Sequence, residues 1–268
     1  AEALSLQAQG VKELVLISQD TTRYGEDIGL GRTGLAQLVQ ALIDQTTFPW
    51  IRFLYAYPKT LHDSVLQLMA REDRFLSYVD IPLQHVARNV LSKMKRGGDP
   101  ASYRTMIERM RSIVPDLTVR STFIVGFPEE TEADFADMAS FVEDMKLDNV
   151  GVFPYSPEPG SGAEPLGDTV PTDVKEFRRE TIMKLQQPIA QAKNRARKGK
   201  TFEALLEGPC SETDLLLEGR IRAQAPEIDG RMLINDVPEG WTPRIGELVK
   251  VRVTKSHAYD LIGSVVGS

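Results

Sequence analysis

The sequence has almost no cysteine: Cys210 stands alone among 268 residues. A single thiol excludes an internal disulfide framework and fits a reducing compartment. Histidine is nearly as scarce, and His62, His85 and His257 are too far apart for metal-ligand spacing, so zinc is not expected. No apolar run approaches the roughly 18 residues a membrane helix needs, and no charged-then-apolar leader is present. A cytoplasmic protein with no membrane partner is therefore expected. Nor does GxGxxG follow the first apolar run, which argues against a doubly wound dinucleotide-binding sheet.

What is present is an ordinary globular composition, 41% hydrophobic and 26% charged. The net charge of −6 is unevenly spread. Residues 171–200 hold nine Lys/Arg against three Asp/Glu, a net of +6, whereas residues 201–268 hold seven against eleven, a net of −4. Residues 1–170 carry the remaining −8. A basic helix between two acidic regions either docks on its own neighbours or meets nucleic acid, and the first is at least as common.

Periodicity divides the chain in two. The apolar runs at residues 11–17, 51–55, 75–83, 119–125 and 150–155 predict five strands, and between them apolar residues recur at helical spacing over 35–43, 61–71, 86–94, 101–114 and 135–145. Such alternation predicts a parallel sheet with helical crossovers. The opening helical stretch, residues 3–8, implies one more strand before it, so an incomplete (β/α)6 barrel is expected over residues 1–198, ending with a long helix over 175–197. Five short strands are then predicted at 202–206, 215–221, 232–234, 248–253 and 261–266, the pattern of a small all-β barrel of the OB-like kind over residues 199–268.

In such a fold, chemistry gathers where strands run into loops. The run 78–97, YVDIPLQHVARNVLSKMKRG, alternates Val79, Ile81 and Leu83 with Asp80, Pro82 and Gln84 before a helix begins. Arg120, Thr122 and Ile124 share one strand face, where a buried guanidinium needs an anion, either an ion-pair partner or a ligand carboxylate. Asp80 and Gln84 could satisfy each other and nearby backbone groups. Gln19 and Asp20 end the first strand, and Tyr24, Tyr55, Tyr57 and Tyr155 follow strand ends, as pocket lining or as packing. His85 is either a general base or a hydrogen-bonded scaffold residue, and the second is the commoner use. Cys210 is placed in a loop of the small barrel with no partner.

Six segments in order, SQDTTRYG (18–25), YVDIPLQH (78–85), MKRG (94–97), RSTFIVGFPEET (120–131), FPYSPEPGSGA (153–163) and APEIDG (225–230), resemble the radical S-adenosylmethionine methylthiotransferases, with the C-terminal part similar to a TRAM domain. The likeness is to the RimO type, whose target is an aspartate of small-subunit ribosomal protein S-twelve. The resemblance implies a radical-SAM-type barrel, S-adenosylmethionine as cofactor and two [4Fe-4S] clusters in the full-length protein. It also implies insertion of a methylthio group at the aspartate β-carbon. By position in these motifs, Gln19, Gln84, Arg120, Ile124 and Val125 are the expected cofactor contacts, Arg120 for the carboxylate and Ile124 with Val125 for the adenine.

The sequence departs from that family twice. The cluster motif CxxxCxxC is absent, so neither cluster is expected to be ligated by this chain, which alone would be inactive. Glu129 stands where many relatives have glycine, at a turn where a left-handed backbone would disfavour it. The acidic C-terminal region favours a protein target over transfer RNA, and docking of the ribosomal protein on it, by a monomer, is expected. The rival readings are a tRNA methylthiotransferase, a non-radical barrel lyase using Asp80 or His85, and a binding module on a catalytically dead scaffold.

Overall fold

The computed structural model describes residues 1–267. Helix α1 (Glu2–Ala8) leads into five parallel strands in chain order: β1 (Glu13–Leu16), β2 (Trp50–Phe53), β3 (Tyr78–Asp80), β4 (Thr118–Val125) and β5 (Asn149–Pro154). Between them run α2 (Gly34–Gln45), α3 (Asp63–Arg71), α4 (Arg88–Lys93), α5 (Pro100–Ile113) and α6 (Glu132–Met145), and α7 (Thr172–Arg195) follows. Strands β1 and β2 pair, β3, β4 and β5 pair, and an isolated parallel bridge, Ile51 to Phe75, joins the two groups. The result is an open, incomplete α/β barrel.

Two of the helix starts are written in the sequence. Asp99 accepts the Ser102 N–H at 2.8 Å while the Ser102 hydroxyl accepts the Asp99 N–H at 3.0 Å, ahead of Pro100 at the first helical position of α5. Thr131 and Asp134 form the same reciprocal cap on α6. Alternation then decides which side chains meet the helices. Ile51, Phe53, Val79, Val119, Phe123 and Val125 are buried against the helical layer, with Leu35, Ile107 and Phe141 on its side. Burying each such side chain is worth about 1.5–3 kcal/mol, so this face sets the register of every strand.

The strand expected over 75–83 is reduced to Tyr78–Asp80. Pro82 has no N–H to give the ladder, and pairing resumes only as a single bridge between Gln84 and Phe123. The helix expected from residue 86 starts at Arg88, because the Ala87 N–H is taken by His85 Nδ1 at 3.0 Å.

The C-terminal strands β6 (Thr201–Cys210), β7 (Thr213–Ile221), β8 (Met232–Asp236), β9 (Leu248–Ser256) and β10 (Leu261–Val265) close into a barrel in the order β10-β8-β7-β6-β9. Its interior is apolar, filled by Leu206, Met232, Ile234, Val251 and Leu261 among others. Cys210 is buried at the end of β6, a correction to its expected loop position. The bulges of β6 near Gly208 and Pro209 extend that strand beyond its apolar run.

The small barrel does not hang free. It packs on the concave sheet face, where Trp50, Leu54, Leu76 and Tyr78 meet Leu205 and Ala225. Beside them lies a buried charged seam. Glu13 accepts from Arg52 Nε at 2.8 Å and pairs with Arg220 Nη2 at 2.7 Å, while Arg52 Nη2 donates to the carbonyls of Arg222 and Gln224. The Arg52 guanidinium lies 4.4 Å from the Tyr78 ring centroid. Helix α7 also uses its positive charge on the protein's own acids. Arg178 meets Glu130 and Glu132, Lys175 meets Asp168, and Lys193 meets Asp148.

Candidate functional site

Beyond the packed small barrel, the concave face opens at the carboxyl ends of the strands. A cleft of about 390 Å³ lies there, lined by Gln19, Tyr55, Tyr57, Asp80, Arg120 and Thr122 among others. A second lobe of about 570 Å³ is lined by Ile124, Phe127, Tyr155 and the 158–163 loop. Gln84, Arg96 and Phe153 border both lobes.

Arg120 anchors the floor. Its Nη1 lies 3.2 Å from Asp80 Oδ1 and donates to Thr122 Oγ1 at 3.2 Å, and its Nε lies 3.5 Å from Asp229 Oδ1. Asp80 does not pair with Gln84, but its second oxygen accepts a nearby backbone group, the Tyr55 N–H, at 3.2 Å. Asp229 arrives from the small barrel and accepts the Tyr78 hydroxyl at 2.7 Å and the Ala225 N–H at 2.9 Å. Burial pushes the Asp229 carboxyl up from its usual value against these donors and against Arg120. Burial, then the Asp229 charge, raises the Tyr78 hydroxyl well above the ordinary tyrosine range. The next residue, Gly230, is obligatory: a Cβ there would collide with the carbonyl of Tyr259.

Three non-glycine residues lining the two lobes have left-handed backbones, Tyr55 at φ 60°, Gln84 at φ 68° and Lys95 at φ 54°. Gln84 is held there by its N–H to Thr122 O at 2.9 Å and by the Ile124 N–H to its carbonyl at 2.7 Å. Its side-chain Oε1 is buried without a hydrogen-bond partner. Strain plus an orphaned acceptor at a cavity wall is the signature of a group awaiting a donor.

Of the five residues expected to contact a cofactor, Gln19, Gln84 and Arg120 therefore share one lobe and Ile124 lines the next. Val125 differs: alternation turns its side chain away into the helix-facing core, fully buried, so only its backbone faces the Ile124 side of the strand. His85 is a scaffold residue, fully buried and lining neither lobe, with Nε2 facing Glu130 Oε1 at 3.8 Å. Glu130 ties the following loop through the N–H groups of Gly126 and Phe127, and Glu129 does adopt the left-handed backbone, φ 64°. Arg96, Phe153 and Asp229 were not singled out from the sequence, although MKRG, FPYSPEPGSGA and APEIDG contain them. A cation directly after a short helix and an acid in a glycine-ended loop were the available signals.

The sequence pattern of the Radical SAM superfamily matches residues 1–142, and that of the TRAM domain matches residues 199–266. The chain belongs to the radical SAM superfamily. Among curated relatives, this radical SAM chain is 47% identical over 266 residues to a protein named ribosomal protein uS12 methylthiotransferase RimO from Koribacter versatilis, covering 99% of the chain and 53% of the relative. Proteins of that name from Solibacter usitatus and Syntrophus aciditrophicus are 46% and 42% identical, with 57% and 58% of their lengths covered. The chain thus spans little more than half the length of the curated relatives it matches.

Superfamily membership implies S-adenosylmethionine and a [4Fe-4S] cluster. The residues fit the first. Gln84 Oε1 offers an acceptor, arginines offer fixed donors, and Ile124 and Phe153 offer apolar surface for a ring. They do not fit a cluster. Cys210 is sealed in the small barrel, and among the described residues no group of three His, Cys, Asp or Glu could hold a metal. Also among the described residues, no helix is long and apolar enough to cross a membrane.

Proposed function

We propose that this chain is the cofactor- and substrate-facing part of a methylthiotransferase that modifies the β-carbon of an aspartate in ribosomal protein uS12. The observation that carries the reading is its 47% identity, over 99% of its length, to a curated uS12 methylthiotransferase. The cluster thiolates, two clusters' worth, come from outside this chain, which is inactive alone. Beside a reduced cluster held by thiolates from outside this chain, which would donate the electron, bound S-adenosylmethionine would supply a radical able to abstract hydrogen from an unactivated C–H bond, and as a methyl donor the methyl group. The chain's own task is to orient and to exclude water. Gln84 accepts from the ligand at its orphaned oxygen, Ile124 and Phe153 hold its flat apolar part, Gln19 closes the rim, and Arg120 with Asp80 keeps the floor rigid. Val125 contributes only through the core behind Ile124.

The net −4 of residues 201–268 suits a basic ribosomal protein docking on the small barrel of a monomeric, cytoplasmic enzyme. A second reading, modification of tRNA, is favoured by one observation: Lys250, Arg252 and Lys255 are exposed along β9, close to exposed Lys198 and Lys200. Mass spectrometry of the full-length, anaerobically reconstituted protein with S-adenosylmethionine, reductant and either uS12 or tRNA decides between them. A gain of about 46 Da on the ribosomal aspartate is the expected result of methylthio replacing hydrogen. A gain on tRNA alone overturns the target, and no gain on either overturns the reaction.

A further inference from the structure

Four cations reach the cleft: Arg120, Arg96, Lys93 and Lys95. A ligand carboxylate needs one whose charge is not already spent. Arg120 already faces two carboxylates, Asp80 at 3.2 Å and Asp229 at 3.5 Å, so a third anion there would enter a site with a net negative charge. Lys93 is paired with Glu129. Lys95 is exposed on the outer lobe, where water screens it.

Arg96 differs from all three. It is half-buried at the junction of the two lobes, and among the described residues no carboxylate lies within ion-pair distance of it. Its guanidinium is nonetheless positioned. Nη1 donates to the Pro82 carbonyl at 3.1 Å, and the plane lies 5.1 Å from the Tyr57 ring centroid. Its backbone N–H is tied to the Leu91 carbonyl at 2.8 Å, just after Lys95 makes a left-handed turn at φ 54°. A guanidinium has five donors in a rigid fork, and the protein uses one. The orphaned Gln84 acceptor borders the same two lobes.

The geometry points to Arg96 as the residue that receives a ligand carboxylate in this cleft, by a two-point contact of the fork. This rests on the proposed reading, which brings two carboxylates to the cleft, the cofactor's own and the side chain of the target aspartate. Both present the same chemistry to Arg96.

The test measures equilibrium binding to the full-length reconstituted protein and needs no turnover. One probe pair is S-adenosylmethionine and its decarboxylated analogue; the other is a uS12 peptide carrying the target aspartate and the same peptide with asparagine. The parent is expected to prefer the carboxylate member of a pair by about 10- to 100-fold. In Arg96→Gln the preference within one pair should fall to about 2-fold or less, in Arg96→Lys it should partly return, and in Lys95→Gln it should stay at the parent level. The pair that collapses identifies the source of the carboxylate. Should Arg96→Gln not fold, protection of Arg96 from phenylglyoxal in the parent, by the carboxylate probe and not by its partner, gives the same answer. Preferences that survive Arg96→Gln in both pairs, absence of any preference in the parent, or equal labelling with and without the probes overturn the assignment. A collapsed preference without a mass gain on uS12 leaves Arg96 in place and removes the reading it was built on.

Discussion

Two sets of five strands occur in this chain, and they end differently. The C-terminal five close on an apolar interior and leave no room inside. The N-terminal five stay open, and their concave face carries Glu13, Arg52, Asp80, Arg120 and Gln84. A closed small barrel can fill itself with side chains, whereas an open sheet must either be covered or be solvated. Here the filled barrel packs on the open one. What remains uncovered is the cleft, so the site is created as much by where the small barrel stops as by the sheet.

The difference can be broken at the seam, where the largest effect is expected. Glu13→Gln leaves Arg52 buried without a counter-charge and Arg220 with Glu207 alone, and equilibrium urea unfolding should show a loss of about 3–5 kcal/mol. Next is the apolar side. Met232→Ala opens a void in the closed barrel and should cost about 3 kcal/mol by the same measurement, with no polar group to admit water. On the open sheet's loops the expected effect is smaller and of opposite sign. Glu129→Gly relieves a left-handed glutamate at the loss of an exposed pair with Lys93, and should stabilise by about 0.5 kcal/mol, read as a small rise in melting temperature.

The subtlest test is one of slope. Burial raises the Asp229 carboxyl, so its contribution to stability is complete below the ordinary 3.8 and is lost as pH rises through its raised value. Asp134 runs the other way. Burial opposes its charge, but bonds from Asn89 and Thr131 outweigh it and lower the carboxyl, so its contribution is present above 3.8 and lost on acidification. Asp229→Asn removes the first and keeps the second. Stability of this variant should therefore fall more steeply than that of the parent as pH is lowered toward 3.8, and equal slopes would show that Asp229 is not held as described.

Much of the architecture was legible locally. Ile51 and Phe53 flank Arg52, Val119 stands between Thr118 and Arg120, Asp99-Pro100 and Thr131-Asp134 announce helix starts, and Glu129 in a glycine position betrays a left-handed turn. The placement of Val125 shows the limit. Motif position put it at the ligand with Ile124, yet adjacent residues of a strand face opposite ways, and only one of the two can line the cleft. The expected Asp80–Gln84 partnership failed for a related reason, since the competing partners of Asp80 lie 40 residues away at Arg120 and 25 away at Tyr55.

By itself the sequence determined the alternation of strand and helix, the caps, the apolar register of both strand sets and the family, because each depends on neighbours within a few turns of chain. Tertiary structure alone decided that Glu13 meets Arg220, that Asp229 reaches Arg120 from the other barrel, that Gln84 keeps an unpartnered oxygen and that Arg96 keeps an unpaired charge. Which buried charges find each other is settled by long-range packing, since any of several acids could have answered any of several arginines until the small barrel came to rest on the open sheet.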